Sequence, residues 1–415
     1  MDERQKEKME EERPGLPDAE DRVLTNASAG NGGRCGVLVK ASISFVIPCL
    51  NERETLPDVL SRIDRVRRTV LSDRETEVIV SDNGSSDGSV KTAEDCGARV
   101  VHCAPPGYGE ALLCGIQHAH GDLVLFADAD GTYDFLESPS LVEQLDKGFD
   151  LVVGSRLDGH IVPGAMPFLH RYIGTPVLTS IINFLYAGKD GRIADCNSGF
   201  RGFRREAFLS WCVRSRGMEI ASEMLVKALK SHARISHVPI SLYPSKGKRK
   251  PHLRRWQDGM RHLLQVFLDC PRFFLLTGAG LFLLSWLVIL LGLFVGPIWI
   301  GPVSFLGLHS MMFGLVGSLF GITICSTGLF LAERIGADIR LYRYVTSLSE
   351  GRLFWWGVAI MAASFVMLLI PVIYWAAQGF HFIHIEKATL LAVALASNGI
   401  LLVSNAITAH MLKRL

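Results

Sequence analysis

Asp128 and Asp130 flank Ala129 directly after the apolar run Asp122-Leu123-Val124-Leu125-Phe126-Ala127. Residues two apart in extended backbone project to the same side. Two neighbouring carboxylates repel unless a cation joins them, and a hard divalent ion with oxygen ligands suits such a pair. By itself the spacing more often describes a solvated turn after a strand. Other polar residues close other apolar runs in the same manner. Asn51-Glu52 follows Ile43 to Pro48, and Asp82-Asn83-Gly84 follows Glu77-Val78-Ile79-Val80-Ser81.

These positions need a scaffold that brings strand ends together. Ile43 to Pro48 and Glu77 to Ser81 read as strands. Between them Leu56, Val59, Leu60, Ile63, Val66 and Val70 recur at helical spacing. A further cycle follows, with Arg99 to His102 as strand, Gly109 to His118 as helix and Asp122 to Ala127 as a buried strand. This alternation predicts an α/β domain with a mostly parallel, Rossmann-like sheet, its ligands bound beyond the carboxyl ends of the strands.

The remainder of the chain is of another kind. Hydrophobic residues make up 49 % of its 415 residues, and Phe273 to Ala332 contains no Asp, Glu, Lys or Arg. Apolar stretches long enough to cross a bilayer predict four spans near 273–295, 305–331, 353–377 and 388–412. The connection after the second span carries Arg334, Arg340, Arg343 and Arg352 and the C-terminus carries Lys413 and Arg414. The first connection has no Lys or Arg and the third only Lys387. The positive-inside bias therefore predicts a multi-pass protein of the cell membrane with residues 1–272 and the C-terminus cytoplasmic. Residues 251–272 read as a juxtamembrane amphipathic helix lying on the membrane surface, with Leu253, Trp256, Met260, Leu263, Leu264 and Phe267 on one side. Residues 1–41 read as a disordered tail without a signal peptide. A net charge of +2 argues against nucleic acid as a partner. Nine cysteines without CxxC or zinc-type spacing read as reduced thiols. The sequence is compatible with a homo-oligomer.

Four segments in order, Val46 to Glu52, Val80 to Ser89, Gly107 to Leu112 and Gly121 to Gly131, resemble glycosyltransferase family 2 with its GT-A fold. Gly154-Ser155-Arg156, Asn197-Ser198-Gly199-Phe200-Arg201 and the terminal spans are similar to its polyprenyl-phosphate branch, which includes dolichyl-phosphate mannose synthases and undecaprenyl-phosphate glucosyltransferases. The resemblance covers about residues 42–272, with 42–250 as the catalytic domain. It implies that Pro48, Glu52, Asp82 and Ala129 bind the donor nucleotide, and that Asp128 and Asp130 hold Mg²⁺ or Mn²⁺ against its pyrophosphate. Arg156, Arg171 and Thr175 match positions that bind the acceptor phosphate, a chemistry that guanidinium forks and hydroxyls suit. Ala165 to Ala187, apolar and without acidic residues, fits helices that dip into the lipid interface. Three departures stand out: Thr132 where the mannose synthase pattern has Gln, Asn83 after Asp82 where it has a second Asp, and no Arg after Val238-Pro239-Ile240, although Lys246, Lys248, Arg249 and Lys250 crowd that loop. They favour glucose from a UDP-sugar over mannose from GDP-mannose.

The implied reaction is an inverting, in-line transfer of one sugar to a polyprenyl phosphate. A phosphate is already ionised at neutral pH, so Asp134, Glu219 and Glu223 are not required as a base, and the last two read as structural or positioning residues. A processive polysaccharide synthase is the nearest rival, but His252 stands where such enzymes carry the Gln of Gln-x-x-Arg-Trp. A non-catalytic transporter or scaffold is the other, disfavoured by spans free of Asp, Glu, Lys and Arg.

Overall fold

In the computed structural model, residues 40–188, 191–245, 255–300, 303–337, 339, 350–377 and 386–412 are described. The readings for the N-terminal tail and for the basic loop of Lys246 to Lys250 lie outside them.

Seven strands form one sheet: β1 (Ile43–Cys49), β2 (Thr76–Asp82), β3 (Arg99–His102), β4 (Leu123–Phe126), β5 (Leu151–Ser155), β6 (Arg201–Arg204) and β7 (Ile235–Pro239). Their order is β3-β2-β1-β4-β6-β5-β7. All neighbours are parallel except β6, which runs antiparallel to β4 and β5. This is the GT-A arrangement, and the expected mostly parallel sheet is the one observed.

Both faces of the sheet are covered, and the period of two decides which side chain goes where. Phe45, Ile47, Val80 and Leu125 enter a core with helices α1 (Leu56–Thr69) and, after a short helix α2 (Ser89–Asp95) and α3 (Tyr108–Gln117), α4 (Ser138–Asp146). Val46, Ile79, Val124 and Phe126 point the other way. They meet α3 together with α5 (Thr175–Tyr186) and, beyond α6 (Arg205–Ser210), α7 (Ile220–Lys230). Strand order reverses at β1, whose neighbours are β2 and β4, so the ends of these three strands share one edge. Such a switch point leaves a crevice for ligands.

Helix α8 (Arg255–Leu268) packs one side on this domain. Val266 is buried in the second core, Leu263 packs against it, and the His262 ring meets Ser222 Oγ at 2.8 Å. Met260 and Leu264, on its apolar stripe, stay exposed. Four helices long and apolar enough to cross a membrane follow: α9 (Pro271–Phe294), α10 (Leu308–Ile335), α11 (Glu350–Ala377) and α12 (Glu386–Leu412). Short strands β8 (Ile298–Ile300) and β9 (Val303–Phe305) pair antiparallel between α9 and α10, a hairpin absent from the sequence reading. Gly321 and Gly278 let α9 and α10 approach: a Cβ at Gly321 would lie 2.6 Å from the Phe282 amide nitrogen. Asn398 Nδ2 donates to Ser318 Oγ at 3.0 Å, a hydrogen bond between α12 and α10.

Candidate active site

The loops after β1 and β2 are fastened to each other. Ser86 N donates to Asn51 Oδ1 at 2.8 Å, Asn51 N to Ser85 Oγ at 2.9 Å, and Glu52 N to Ser89 Oγ at 2.9 Å. Asp82 is buried and accepts from the Gly84 and Ser85 amides, which fixes the turn after β2. Pro48 is buried opposite Ser81 in the β1–β2 register, and Ala129 is buried between the two carboxylates.

Asp128 lies one residue beyond Ala127 at the end of β4. Tyr108 donates its hydroxyl to Asp128 Oδ1 at 2.8 Å. Asp130 Oδ1 accepts from Thr132 N at 3.0 Å and Thr132 Oγ1 at 2.6 Å, which accounts for Thr132 as a local cap. Burial pushes the Asp128 carboxyl up to about 7, and the Asp130 charge adds to the rise. The Tyr108 hydrogen bond and the Arg156 charge offset only part of it. Each carboxylate keeps one oxygen without a hydrogen bond to the described residues, and Asp128 Oδ2 faces Gly199, where an added Cβ would sit 2.8 Å away. Among the described residues no group of three or more His, Cys, Asp and Glu gathers as a full ligand set. The pair therefore fits a divalent cation that completes its shell with substrate oxygens and water, the habit of Mg²⁺.

Glu52 is half-buried and accepts from Thr55 Oγ1 at 3.0 Å at the start of α1, and its charge reaches Asp128. Arg156 is buried with its fork filled: Nε and Nη2 lie 2.7 and 2.8 Å from the two oxygens of the fully buried Asp195. Arg171 differs. It sits in a π-helical turn, His170–Gly174, directly before α5, lies 5.4 Å from the Tyr172 ring centroid, and has no ion-pair partner among the described residues. Phe168, Leu169, Tyr172, Ile173 and Val177 around it are exposed. Thr175, the first residue of α5, is buried with Asn197 Nδ2 3.4 Å from its hydroxyl. Thus the structure gathers Glu52, Asp128, Asp130 and Arg156 electrostatically, leaves Arg171 on a separate apolar rim, and binds Thr175 to the segment that carries Gly199.

Several residues of this site take their places from contacts that the sequence does not mark. Tyr108 stands at the start of α3, where Gly107 and Gly109 admit the loop Ser215 to Gly217: a Cβ at Gly109 would meet Ser215 O at 2.4 Å. Glu223 holds that loop by accepting from the Arg214 and Ser215 amides, and Glu110 N donates to Arg216 O at 3.1 Å. Glu219 Oε1 accepts from Gly217 N at 3.1 Å, and Asp134 caps a 3₁₀ turn and pairs with Arg62 at 2.8 Å. All three carboxylates have structural duties. Asn83 likewise donates to Cys103 O and Pro105 O and accepts from Gly107 N, a set that an aspartate in its place could not make.

One sequence expectation is corrected here. Cys103 and Cys114, eleven apart, form a disulfide rather than two free thiols. The spacing matches no motif, because what joins them is α3 packing back over β2 beside β3.

A family model described as glycosyl transferase family 2 matches residues 44–210. The low-salt glycan biosynthesis hexosyltransferase Agl6 of Haloferax volcanii is 33 % identical over 296 residues, 70 % of this chain and 68 % of that protein. A dolichyl-phosphate hexose transferase of the same organism is 29 % identical over 212 residues, 50 % of this chain and 86 % of its own. The undecaprenyl-phosphate 4-deoxy-4-formamido-L-arabinose transferase of Salmonella choleraesuis is 28 % identical over 320 residues, 73 % of this chain and 90 % of its own.

Proposed function

Because the chain belongs to glycosyltransferase family 2, we propose that it transfers one hexose, glucose from UDP-glucose, to a polyprenyl phosphate at the cytoplasmic face of the membrane, inverting the anomeric centre with the help of Mg²⁺ or Mn²⁺. The observation that carries this reading is one chain that couples the half-buried Asp128 and Asp130 pair, at the shared edge of β1, β2 and β4, to four helices fit to cross a membrane. Relatives named for dolichyl and undecaprenyl phosphate support the lipid acceptor.

In this reading Asp128 and Asp130 hold the cation, and Pro48, Glu52, Asp82 and Ala129 form the wall against which the nucleoside rests. When bound, the metal supplies charge neutralisation for the departing nucleoside diphosphate. Arg171, without an ion-pair partner among the described residues and set among exposed apolar side chains, takes the lipid phosphate, and Thr175 supports that end. Arg156, paired to Asp195, lends its charge to the site without a free fork of its own. The acceptor phosphate arrives ionised, so no general base is needed, consistent with the structural partners of Asp134, Glu219 and Glu223. Thr132 and Asn83, which depart from the mannose pattern, support glucose.

The test is incubation of membranes containing the protein with labelled UDP- and GDP-sugars and a polyprenyl phosphate, followed by extraction and identification of the lipid product. UDP-glucose is expected to give a lipid-linked monosaccharide that disappears with chelator and in Asp128→Ala and Asp130→Ala. No labelled lipid from any donor, or near-normal transfer by both variants, would overturn the reading.

A further inference from the structure

Asn197 is fixed from two directions. Its backbone amide donates to Asp195 Oδ1 at 3.2 Å, and its side-chain amide meets Thr175 Oγ1 at 3.4 Å. The Oδ1 atom is buried and has no hydrogen-bond partner among the described residues. Exchanging the amide oxygen and nitrogen does not remove the problem, since the nitrogen is then the end left over. A buried polar group in this condition destabilises the fold until something completes it.

Its place in the fold suggests what does. Thr175 starts the helix that follows the Arg171 turn, on the acceptor side. Gly199 is two residues on, at most about 7 Å along the chain, and its backbone faces Asp128 Oδ2 on the donor side. The transferred sugar has to lie between the leaving pyrophosphate and the acceptor phosphate. Neighbouring polar groups hold partners of their own: Arg156 Nε and Nη2 donate to Asp195, Tyr133 Oη accepts from the Gly199 amide, and Tyr108 donates to Asp128.

We propose that Asn197 hydrogen-bonds a hydroxyl of the transferred hexose and helps select which hexose is accepted. An amide presents both a donor and an acceptor, and a hydroxyl can pair with either. The inference rests on the donor and acceptor sides assigned above and adds a specificity residue to them.

The experiment is equilibrium binding to the purified full-length protein in the presence of Mn²⁺. The ligands are UDP and GDP, bare and carrying glucose, galactose, mannose or N-acetylglucosamine, and the proteins are wild type, Asn197→Ala and Asn197→Asp. The wild type is expected to prefer one nucleotide sugar over its epimers. Both variants should lose about tenfold or more for that ligand, with the epimer ratio shrinking and bare-nucleotide affinity kept. A wild type without sugar preference, a preference that survives in both variants, or a parallel loss of bare-nucleotide binding would each overturn the proposal. Because binding needs no acceptor, a protein that glycosylates no lipid sinks the acceptor reading and leaves this test intact.

Discussion

Asn83 illustrates how one atom's chemistry sets a loop. Its amide donates to two carbonyls, Cys103 O at 3.0 Å and Pro105 O at 3.2 Å, and accepts from Gly107 N at 2.6 Å. Asn83→Asp puts a carboxylate against both carbonyl oxygens, which should loosen the loop that leads into Tyr108. The expected result is a loss of about 1–3 kcal/mol in stability and a raised KM for the donor, read by thermal unfolding in detergent and by transfer kinetics; unchanged values in both would refute the role. Glu77 offers a pH test. Desolvation raises its carboxyl, but Ser44 Oγ, the His120 amide and Arg99 outweigh that and hold it down at about 2. Since the folded value lies below the unfolded one, the stabilisation is complete above about pH 4.5 and fades as pH falls through about 2. Glu77→Gln should cost about 1–2 kcal/mol at pH 7 after allowance for screening of a partly exposed group. Melting curves of the two proteins should converge toward pH 2, and a constant gap would contradict this. The carboxylate pair stands out by its spacing and its place after β4, whereas Arg156 and Arg171 stand out only through the family resemblance. Tyr108 and Asn197 lie in segments that carry the resemblance, but their contacts and those of Asp195 were not legible, because their partners come from strands and turns distant in sequence.

At the level of elements, apolar periodicity was sufficient for β1, α1, β2, β3, α3, β4 and the four long helices, since each buries one face or is apolar throughout. It said nothing of the β8–β9 hairpin, whose three-residue strands are too short to show a period. Nor did it divide the stripe of α8, where Val266 and Leu263 go into the domain and Met260 and Leu264 do not. The start of α3 is the element on which the site depends most. Its first turn is clamped by the loop Ser215 to Gly217, which Glu223 holds in place, and it carries the tyrosine that orients Asp128. Gly109→Ala would set a methyl group 2.4 Å from Ser215 O and 2.7 Å from Gly217 O, both backbone atoms that cannot rotate away. The helix and loop must separate, at a cost of about 1–3 kcal/mol. Transfer should fall by about 100-fold or more, the scale on which an ångström of displacement acts. Alanine at Gly164, where a Cβ meets nothing within 4 Å but φ is +84°, provides the contrast: a small loss of stability with transfer retained. Equal activity losses at the two sites would remove the clamp from the argument.

For the molecule as a whole, the orientation of the catalytic domain turns on loop charge. Lys387, the cation of the third connection, donates from Nζ to Gly292 O at 2.9 Å, in the last turn of α9. It satisfies a helix-end carbonyl, and it is the one Lys or Arg of that connection against Arg334, Arg340, Arg343 and Arg352 on the second. The catalytic domain is thereby expected on the cytoplasmic side, where a nucleotide sugar can reach the Asp128 edge without crossing the bilayer. Among the described cysteines of that domain, Cys96 and Cys212 are exposed, whereas Cys49 and Cys196 are buried and Cys103 and Cys114 are joined. In a Cys35→Ser background, a membrane-impermeant maleimide should therefore label inverted vesicles and leave right-side-out vesicles unlabelled. Replacing Cys96 and Cys212 together by serine should remove most of that signal. Labelling of intact right-side-out vesicles at these two positions would place the domain outside, and the donor side of the proposed reaction with it.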